Sequence, residues 1–189
     1  INNADSLDSV RGIEGEGARM YFGVFGEMLH NEGFVFKGRS KRPPLDNVNA
    51  VLSFLYVLLA NDIQSALETV GLDPYVGFMH TDRPGRPALA LDMMEELRVF
   101  MVDRLVLSMI NLEQIKANGF IEKEGGGVLM TDDCRKQIIK IWQNKKKEDF
   151  RHGIINEKIQ IGLLPFVQAQ LMARFLRGDY EDYYPFLIR

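Results

Sequence analysis

The segment 88–112 constrains the fold more than any other part of the chain, because it is apolar nearly all the way round a helical surface. A helix of this kind is normally central in its domain, with the other elements packed around it. Apolar residues recur at helical spacing in four more segments, which we also predict to be helices: 6–29, 48–70, 131–147 and 155–176. These patterns predict a mainly α fold in which residues 1–189 form a single multi-helix domain.

One acid and several glycines mark where these helices begin, end or are interrupted. Asp46 is placed to cap the second helix, and Gly71 is placed to end it in a left-handed conformation. Residues 120–130 turn on three glycines and predict one minor β-hairpin. Three more glycines interrupt the first helix: Gly12, Gly15 and Gly17. Because each of them lowers helix propensity, we expect another backbone to approach closely there.

The composition excludes several classes of protein. With 46% apolar residues and a net charge of −3, the chain is neither collagen-like nor disordered, and its charge argues at first sight against a nucleic-acid binder. Cys134 is the only cysteine, so neither an internal disulfide nor a Cys-based zinc site is possible. The longest apolar run, residues 50–60, is about half of what a membrane span needs, and no signal peptide opens the chain. We therefore expect no membrane partner and a reducing, cytoplasmic compartment.

Several carboxylates fall on helix faces that are otherwise apolar. Glu14 projects from the apolar face of the first helix. The central helix carries four acids on one stripe: Asp92, Glu95, Glu96 and Asp103. Asp92 and Glu95 are three residues apart, so both can point into one site, and His80 lies in the irregular segment just before them. One histidine with two or three carboxylates is a mixed N/O donor set suited to Mn²⁺ or Mg²⁺.

The alternative is a purely structural role for the same residues. His80 would then be a hydrogen-bonded loop residue, and the acids would pair with Arg11, Arg19 or Arg98. The pattern alone does not decide between the two interpretations.

Basic residues are concentrated in two segments, so the net charge hides a local polarity. Clusters of this kind can hold a phosphate backbone; they comprise Lys37, Arg39, Lys41 and Arg42 in the loop 34–45, and Arg135, Lys136, Lys140 and Lys145 on the helix 131–147. Contacts of this kind carry no information about base sequence. The alternative is a mobile loop and a solvated helix face.

The remaining candidates are weaker. His30 and His152 have no carboxylates arranged around them in the sequence, so we expect both on the surface. Cys134 lacks any sign of a triad partner and is predicted to be a half-buried spectator. The methionines of the central helix, Trp142 and the C-terminal aromatic residues are predicted to pack in the core.

Five stretches together form a recognisable pattern. In chain order they are Arg11-Gly-Ile-Glu-Gly, Ala18-Arg-Met-Tyr-Phe, Gly38-Arg-Ser-Lys-Arg-Pro-Pro-Leu-Asp-Asn, Gly71-Leu-Asp-Pro-Tyr-Val-Gly-Phe-Met-His and Arg86-Pro-Ala-Leu-Ala-Leu-Asp-Met-Met-Glu-Glu-Leu-Arg. They resemble the motifs of the CRISPR-associated integrase family, the DNA-cutting and joining subunit of spacer acquisition. The resemblance covers most of the chain, and the ordered set is more specific than any one motif.

The resemblance implies the helical C-terminal catalytic domain of that family, without the β-rich N-terminal domain that normally precedes it. Carried over residue by residue, the family's catalytic and metal-binding Glu, His and acid fall on Glu14, His80 and Glu95. Asp92, one turn earlier, matches a second acid that supports the site or ligates in place of Glu95. The choice of Glu14 agrees with its place on the apolar helix face.

The implied activity is that of a metal-dependent DNA endonuclease and integrase. A 3′-OH or water attacks a DNA phosphodiester with the help of Mn²⁺ or Mg²⁺. The expected partners are double-stranded DNA (foreign fragments and the CRISPR repeat), a second copy of the protein and a second, smaller adaptation subunit, all in a prokaryotic cytoplasm. The alternative is a DNA-binding or assembly fragment that is catalytically silent.

Overall fold

The computed structural model describes residues 6–81 and 83–187 and confirms a mainly α fold. Its helices are α1 (Leu7–Phe25), α2 (Asn47–Thr69), α3 (Ala88–Arg98), α4 (Arg104–Asn111), α5 (Asp132–Lys146) and α6 (Leu164–Leu176). Four strands form two antiparallel hairpins: β1 (Phe120–Glu122) with β2 (Val128–Met130), and β3 (Asp149–Arg151) with β4 (Lys158–Gln160). The chain divides into two compact units. The first comprises Ile1–Ser53 and Val106–Gln137, and the second comprises Phe54–Leu105 and Ile138–Arg189. That the whole chain is a single domain stays a prediction.

The predicted central helix is present, with one local change of winding. A π-helical segment, Val99–Asp103, joins α3 to α4, so the backbone stays helical from residue 88 to residue 111. Its methionines are buried core residues, as predicted: Met93, Met94, Met101 and Met109. Asp103 is fully buried in the π segment, where it accepts a 2.5 Å hydrogen bond from the hydroxyl of Tyr56. This acid of the predicted stripe therefore serves the core.

Helix α2 begins and ends where local sequence signals place it. The backbone N–H of Asn49 donates to the Asp46 carboxylate at 2.6 Å, which caps the first turn. Gly71 adopts a φ of +82°, and the N–H of Leu72 reaches back to the carbonyl of Leu67 at 3.0 Å. By length and composition, α2 is the one helix of the described part of the chain that could cross a membrane, a test that the core helix of a soluble protein also passes.

Helix α1 differs from its prediction in how its N-terminal half is packed. The side chain of Ser6 caps it, accepting from the N–H of Ser9 at 3.2 Å. Its buried side chains are Phe22 and Phe25, both in the C-terminal half. The expected close approach of a backbone at the glycines is wrong, because a Cβ added at any of the three would meet nothing within 4 Å: Gly12, Gly15 and Gly17.

The hairpin predicted at residues 120–130 is present, but a second hairpin replaces the start of the last predicted helix. Residues 155–160 were expected to be helical, yet β4 pairs there with β3, with Phe150 opposite Ile159. Asn156 between the strands has a φ of +55°, which a helix cannot contain. The ring of Phe150 packs 5.4 Å from that of Phe100, so burial of an aromatic residue favours the strand.

Candidate functional site

The side chain of Asp92 on α3 holds the preceding loop by its backbone. One carboxylate oxygen accepts from the N–H groups of Phe78 and Met79 at 2.6 and 2.9 Å. The other accepts from the N–H of His80 at 2.9 Å and lies 2.6 Å from the Nδ1 atom of the same residue. Because an ionised carboxylate only accepts, Nδ1 carries the proton, and the ring presents Nε2 as its free electron pair. Asp92 therefore positions His80, and both its oxygens are occupied.

Two further contacts fix the same loop to α3. The carbonyl of Pro74 accepts from the N–H groups of Leu89 and Ala90, at 2.9 and 3.3 Å, in the first turn of the helix. Gly77 lies so close to the helix that a Cβ atom there would be 2.8 Å from Ala88 and from the Asp92 carboxylate. Only glycine fits at this position, so residues 74–80 are irregular in secondary structure but closely held.

The two acids that were expected to share one site have different partners in the structure. Asp92 turns to the loop, whereas Glu95 lies 2.7 Å from the guanidinium of Arg98. Both side chains of that pair are more than two-thirds buried, so the charges offset one another in a partly dry environment. The alternative interpretation of the sequence, a pairing of these acids with Arg98, is thus correct for Glu95.

Glu14 lies in the N-terminal half of α1 and is exposed. The premise that it is buried on an apolar face is wrong, because the burial of α1 is confined to its C-terminal half. Among residues 6–81 and 83–187, no group of three or more His, Cys, Asp or Glu side chains is gathered closely enough to hold a metal ion. The ligand set of Glu14, His80 and Glu95 therefore stays a prediction.

The donor chemistry at His80 nevertheless suits a divalent cation. Its Nδ1 is fixed by a carboxylate, which is the arrangement that orients metal-binding histidines and raises their basicity. In the described part of the chain, no hydrogen bond reaches Nε2 of His80. A neutral imidazole, which is a borderline donor, together with hard carboxylate oxygens is a mixed donor set that suits Mn²⁺ or Mg²⁺.

Glu96 does not accompany the candidate metal residues but belongs to a buried polar network. Its carboxylate accepts from the hydroxyl of Tyr183 and from the N–H of Phe186, each at 2.5 Å, and from the side-chain amide of Gln168 at 3.2 Å. Burial raises the pKa of Glu96, and these three donors partly oppose that rise. The same burial, with the nearby carboxylate charge, raises the pKa of Tyr183. Glu96 thus fastens the C-terminal segment.

His152 extends this network, so its predicted surface position is wrong. It is fully buried, and its Nε2 lies 3.1 Å from the side-chain carbonyl oxygen of Gln168. Its Nδ1 accepts from the N–H groups of Ile154 and Ile155 at 3.3 and 3.4 Å, so the ring is the neutral Nε2–H tautomer. Burial lowers the pKa of His152. The predictions for His30, which is exposed, and for Trp142 and Phe186, which are buried, are confirmed. Cys134 is buried rather than half-buried, and Tyr184 is exposed rather than packed.

The basic loop contains one structural cation among its four. The guanidinium of Arg39 donates to the side-chain oxygens of Asn49 and Ser53 at 2.7 and 3.1 Å. Asn49 is itself fully buried. The other three cations are exposed: Lys37, Lys41 and Arg42. Arg39 therefore anchors the loop that presents the other three.

The basic residues of α5 are exposed or half-buried, and several have acidic neighbours. Arg135 and Lys136 lie 3.0 and 3.8 Å from acids one turn earlier, and Lys145 lies 2.6 Å from Glu148. Ion pairs at a surface contribute little, so these pairs leave the cations able to bind phosphate. Lys146 differs, because its ammonium is half-buried, 2.9 Å from Asp62 and over the Trp142 ring. The solvated helix face and the DNA contact both remain consistent with this arrangement.

Comparison with known proteins relates the chain to one family. Residues 1–144 match the family model described as CRISPR associated protein Cas1. The "CRISPR-associated endonuclease Cas1 2" of Rhodospirillum rubrum is 55% identical over 97% of the chain and 54% of its own length. The "CRISPR-associated endonuclease Cas1" of Leptospira interrogans is 49% identical over 99% of the chain and 74% of its own length. The chain thus spans about half the length of the first of these relatives.

Two solved structures share the fold. A casposase bound to its integration product superposes with a TM-score of 0.87 at 25% identity, over 96% of the chain and 51% of the casposase. A Cas6-RT-Cas1–Cas2 complex gives a TM-score of 0.84 at 25% identity, over 98% of the chain and 20% of the matched one. The mainly α architecture is therefore shared with the matched parts of these two structures.

Proposed function

Because the chain belongs to the family of CRISPR associated protein Cas1, we propose that it is the catalytic part of a metal-dependent DNA endonuclease and integrase. The reaction is attack of a 3′-OH or of water on a DNA phosphodiester. The observation that carries the proposal is the fixed imidazole of His80, whose Nδ1 is held by Asp92 while Nε2 stays available. A protein histidine prepared in this way is typical of a metal ligand.

In this proposal Glu14, His80 and Glu95 hold Mn²⁺ or Mg²⁺, and Asp92 supports the site through His80. These residues would supply the ligands of the ion, and the chemistry that such an ion would supply is activation of the attacking oxygen and compensation of charge on the phosphate. The chain's own contribution is to orient: Asp92 fixes the tautomer of His80, and Arg98 limits the positions that Glu95 can take.

The exposed cations support binding of the DNA backbone. Lys37, Lys41, Arg42, Arg135, Lys136, Lys140 and Lys145 would contact phosphates, with Arg39 acting through the loop that it anchors. The names of the structural neighbours support the expected partners, since one is a casposase on an integration product and one a complex with Cas2. We accordingly propose double-stranded DNA, a second copy of the protein and a smaller, Cas2-like subunit as partners in a prokaryotic cytoplasm.

The test is cleavage and strand transfer by the purified protein with Mn²⁺, using His80→Ala and Glu14→Ala. Each substitution removes a proposed ligand, so each should abolish product and weaken Mn²⁺ binding measured by calorimetry. The chain offers matched controls: His30→Ala removes an exposed histidine, and Glu16→Ala removes an exposed acid two residues from Glu14. Both controls should keep wild-type activity. Metal-dependent product from both ligand variants would show that the site lies elsewhere.

A second candidate function is a catalytically silent DNA-binding or assembly fragment. It is favoured by the lack of a three-residue metal cluster within residues 6–81 and 83–187. This function predicts DNA binding that weakens steeply with salt, no turnover with any divalent metal, and no effect of His80→Ala on affinity. Mn²⁺-dependent product from the wild-type protein would exclude it.

A further inference from the structure

The loop that carries His80 exposes an aromatic ring that the core does not use. The chain contains twelve phenylalanines, all in the part that the structure describes, and Phe78 alone is exposed, at 53%. Two neighbours in the loop, Tyr75 and Val76, are exposed at 43% and 60%. Exposed apolar side chains that cluster on one short segment mark a place where a ligand or partner is contacted.

The exposure of Phe78 is not the result of a loose loop. The N–H of Phe78 donates to the Asp92 carboxylate at 2.6 Å. On one side Gly77 packs directly against α3, and on the other the N–H of Met79 donates to the same carboxylate. A ring on a backbone held in this way loses little freedom when a flat ligand stacks on it. The backbone of this residue loses its conformational entropy on folding, so little more is lost when a ligand binds.

The backbones of Phe78 and His80 are both held by the side chain of Asp92. The N–H groups of Phe78 and His80 bond to the two oxygens of the Asp92 carboxylate, so their backbones are fixed relative to each other. Beyond His80 the loop continues to Arg83, whose side chain is exposed. An aromatic face followed by a cation is the pattern with which proteins hold a nucleotide by its base and its phosphate.

We propose that Phe78 is a base-stacking residue, whose ring packs on the nucleobase next to the phosphodiester that reacts at His80. This inference rests on the proposed function, because the nucleobase belongs to its DNA substrate. Every base has a π face, so the contact selects for an unpaired, stackable base rather than for a particular sequence. Phe78 thereby places the reacting phosphate, and it is a positioning residue rather than a ligand of the metal.

The experiment uses branched DNA with 2-aminopurine as the unpaired nucleotide at the junction, and a matched DNA with an abasic site there. Phe78→Leu keeps the apolar volume but removes the flat face, whereas Phe78→Trp keeps the face. The wild-type protein and Phe78→Trp should quench 2-aminopurine and prefer the intact DNA by about tenfold in KM. Phe78→Leu should lose both effects. Val57→Ala removes an exposed apolar side chain on α2, outside this loop, and as the control it should behave like the wild type.

The outcomes separate this proposal from the proposed function. If the wild type forms product and Phe78→Leu equals it on both DNAs, stacking is wrong and the nuclease function stands. If the wild type binds DNA without cleaving it, fluorescence still decides for or against stacking. If the wild type neither binds nor cleaves, both are wrong. Loss of subunit association in Phe78→Leu, with unchanged fluorescence, would assign the ring to a protein partner and overturn the proposal.

Discussion

Two carboxylates one turn apart on α3, Asp92 and Glu96, both fasten a distant segment of chain by its backbone, yet they create opposite environments. Asp92 binds three consecutive N–H groups and leaves the imidazole that it orients partly open to solvent. Glu96 binds the C-terminal segment through Phe186 and Tyr183 and is enclosed with buried Gln168. A stripe of acids on a helix therefore need not be one site: here one acid orients a partly exposed imidazole and the other fastens the C-terminal segment.

Among the substitutions that test this comparison, Asp92→Ala should have the largest effect. It leaves the N–H groups of residues 78–80 and the imidazole of His80 without their acceptor, so we expect a loss of about 3–4 kcal/mol in the free energy of unfolding. Urea denaturation measures this loss. Asp92→Asn keeps one oxygen acceptor and should lose less. Wild-type stability in Asp92→Ala would mean that the loop is held by other contacts.

A smaller effect is expected from Tyr183→Phe at the other acid. The substitution keeps the ring but removes the hydroxyl that donates to Glu96, and a hydrogen bond to a charged group contributes about 2 kcal/mol. Urea denaturation should show that loss, while Mn²⁺ binding stays unchanged. Tyr180→Phe, at an exposed hydroxyl bonded to Arg174, is the matched control. A loss of Mn²⁺ affinity in Tyr183→Phe would contradict the separation of the two regions.

The smallest effect is the pH dependence that His152 contributes. Burial lowers its pKa below the ordinary value of 6.5, so the unfolded chain binds more protons in the interval below 6.5. The free energy of unfolding should therefore fall as the pH decreases from 6.5, by less than about 1.4 kcal/mol per pH unit. Glu96, whose pKa is raised, contributes the opposite slope above its ordinary value of 4.5.

The control for this pH effect is His152→Asn. The asparagine oxygen keeps an acceptor for the N–H of Ile154, but it does not titrate. Glu96 contributes equally to the pH dependence of both proteins, so its contribution cancels in the difference. The difference between the two free energies of unfolding, plotted against pH, is therefore the contribution of the imidazole. Equal slopes below pH 6.5 in the two proteins would show that His152 is not held neutral.

What the sequence predicts well is what local patterns encode. The ends of α2 follow from Asp46 and Gly71, because capping and left-handed termination act within one turn. The second hairpin was not predictable in this way: its isoleucines fit a helical period, and only the packing of Phe150 and the φ of Asn156 select strands.

The candidate site divides along the same line. Both the helical spacing of the acids and the family motifs group His80 with Asp92, and the two side chains are in contact in the folded chain. The network of His152, Gln168 and Glu96 was missed, because its members are 16 and 72 residues apart and each looks ordinary in its own segment. The sequence offered two interpretations of Glu95: a metal ligand and a partner of Arg98, three positions away. The structure shows the contact with Arg98, and the ligand assignment stays a prediction.

Arg39 and Asn49 form a hydrogen-bonded framework inside the basic loop, distinct from its exposed cations. Asn49 accepts from Arg39 and from the N–H of Ser40, and it donates to the carbonyl of Gly38, so one buried amide sets the path of the backbone. The exposed cations lie on either side of this framework. Substitution of Lys37, Lys41 or Arg42 should therefore change the charge that the loop presents while its backbone keeps the same path.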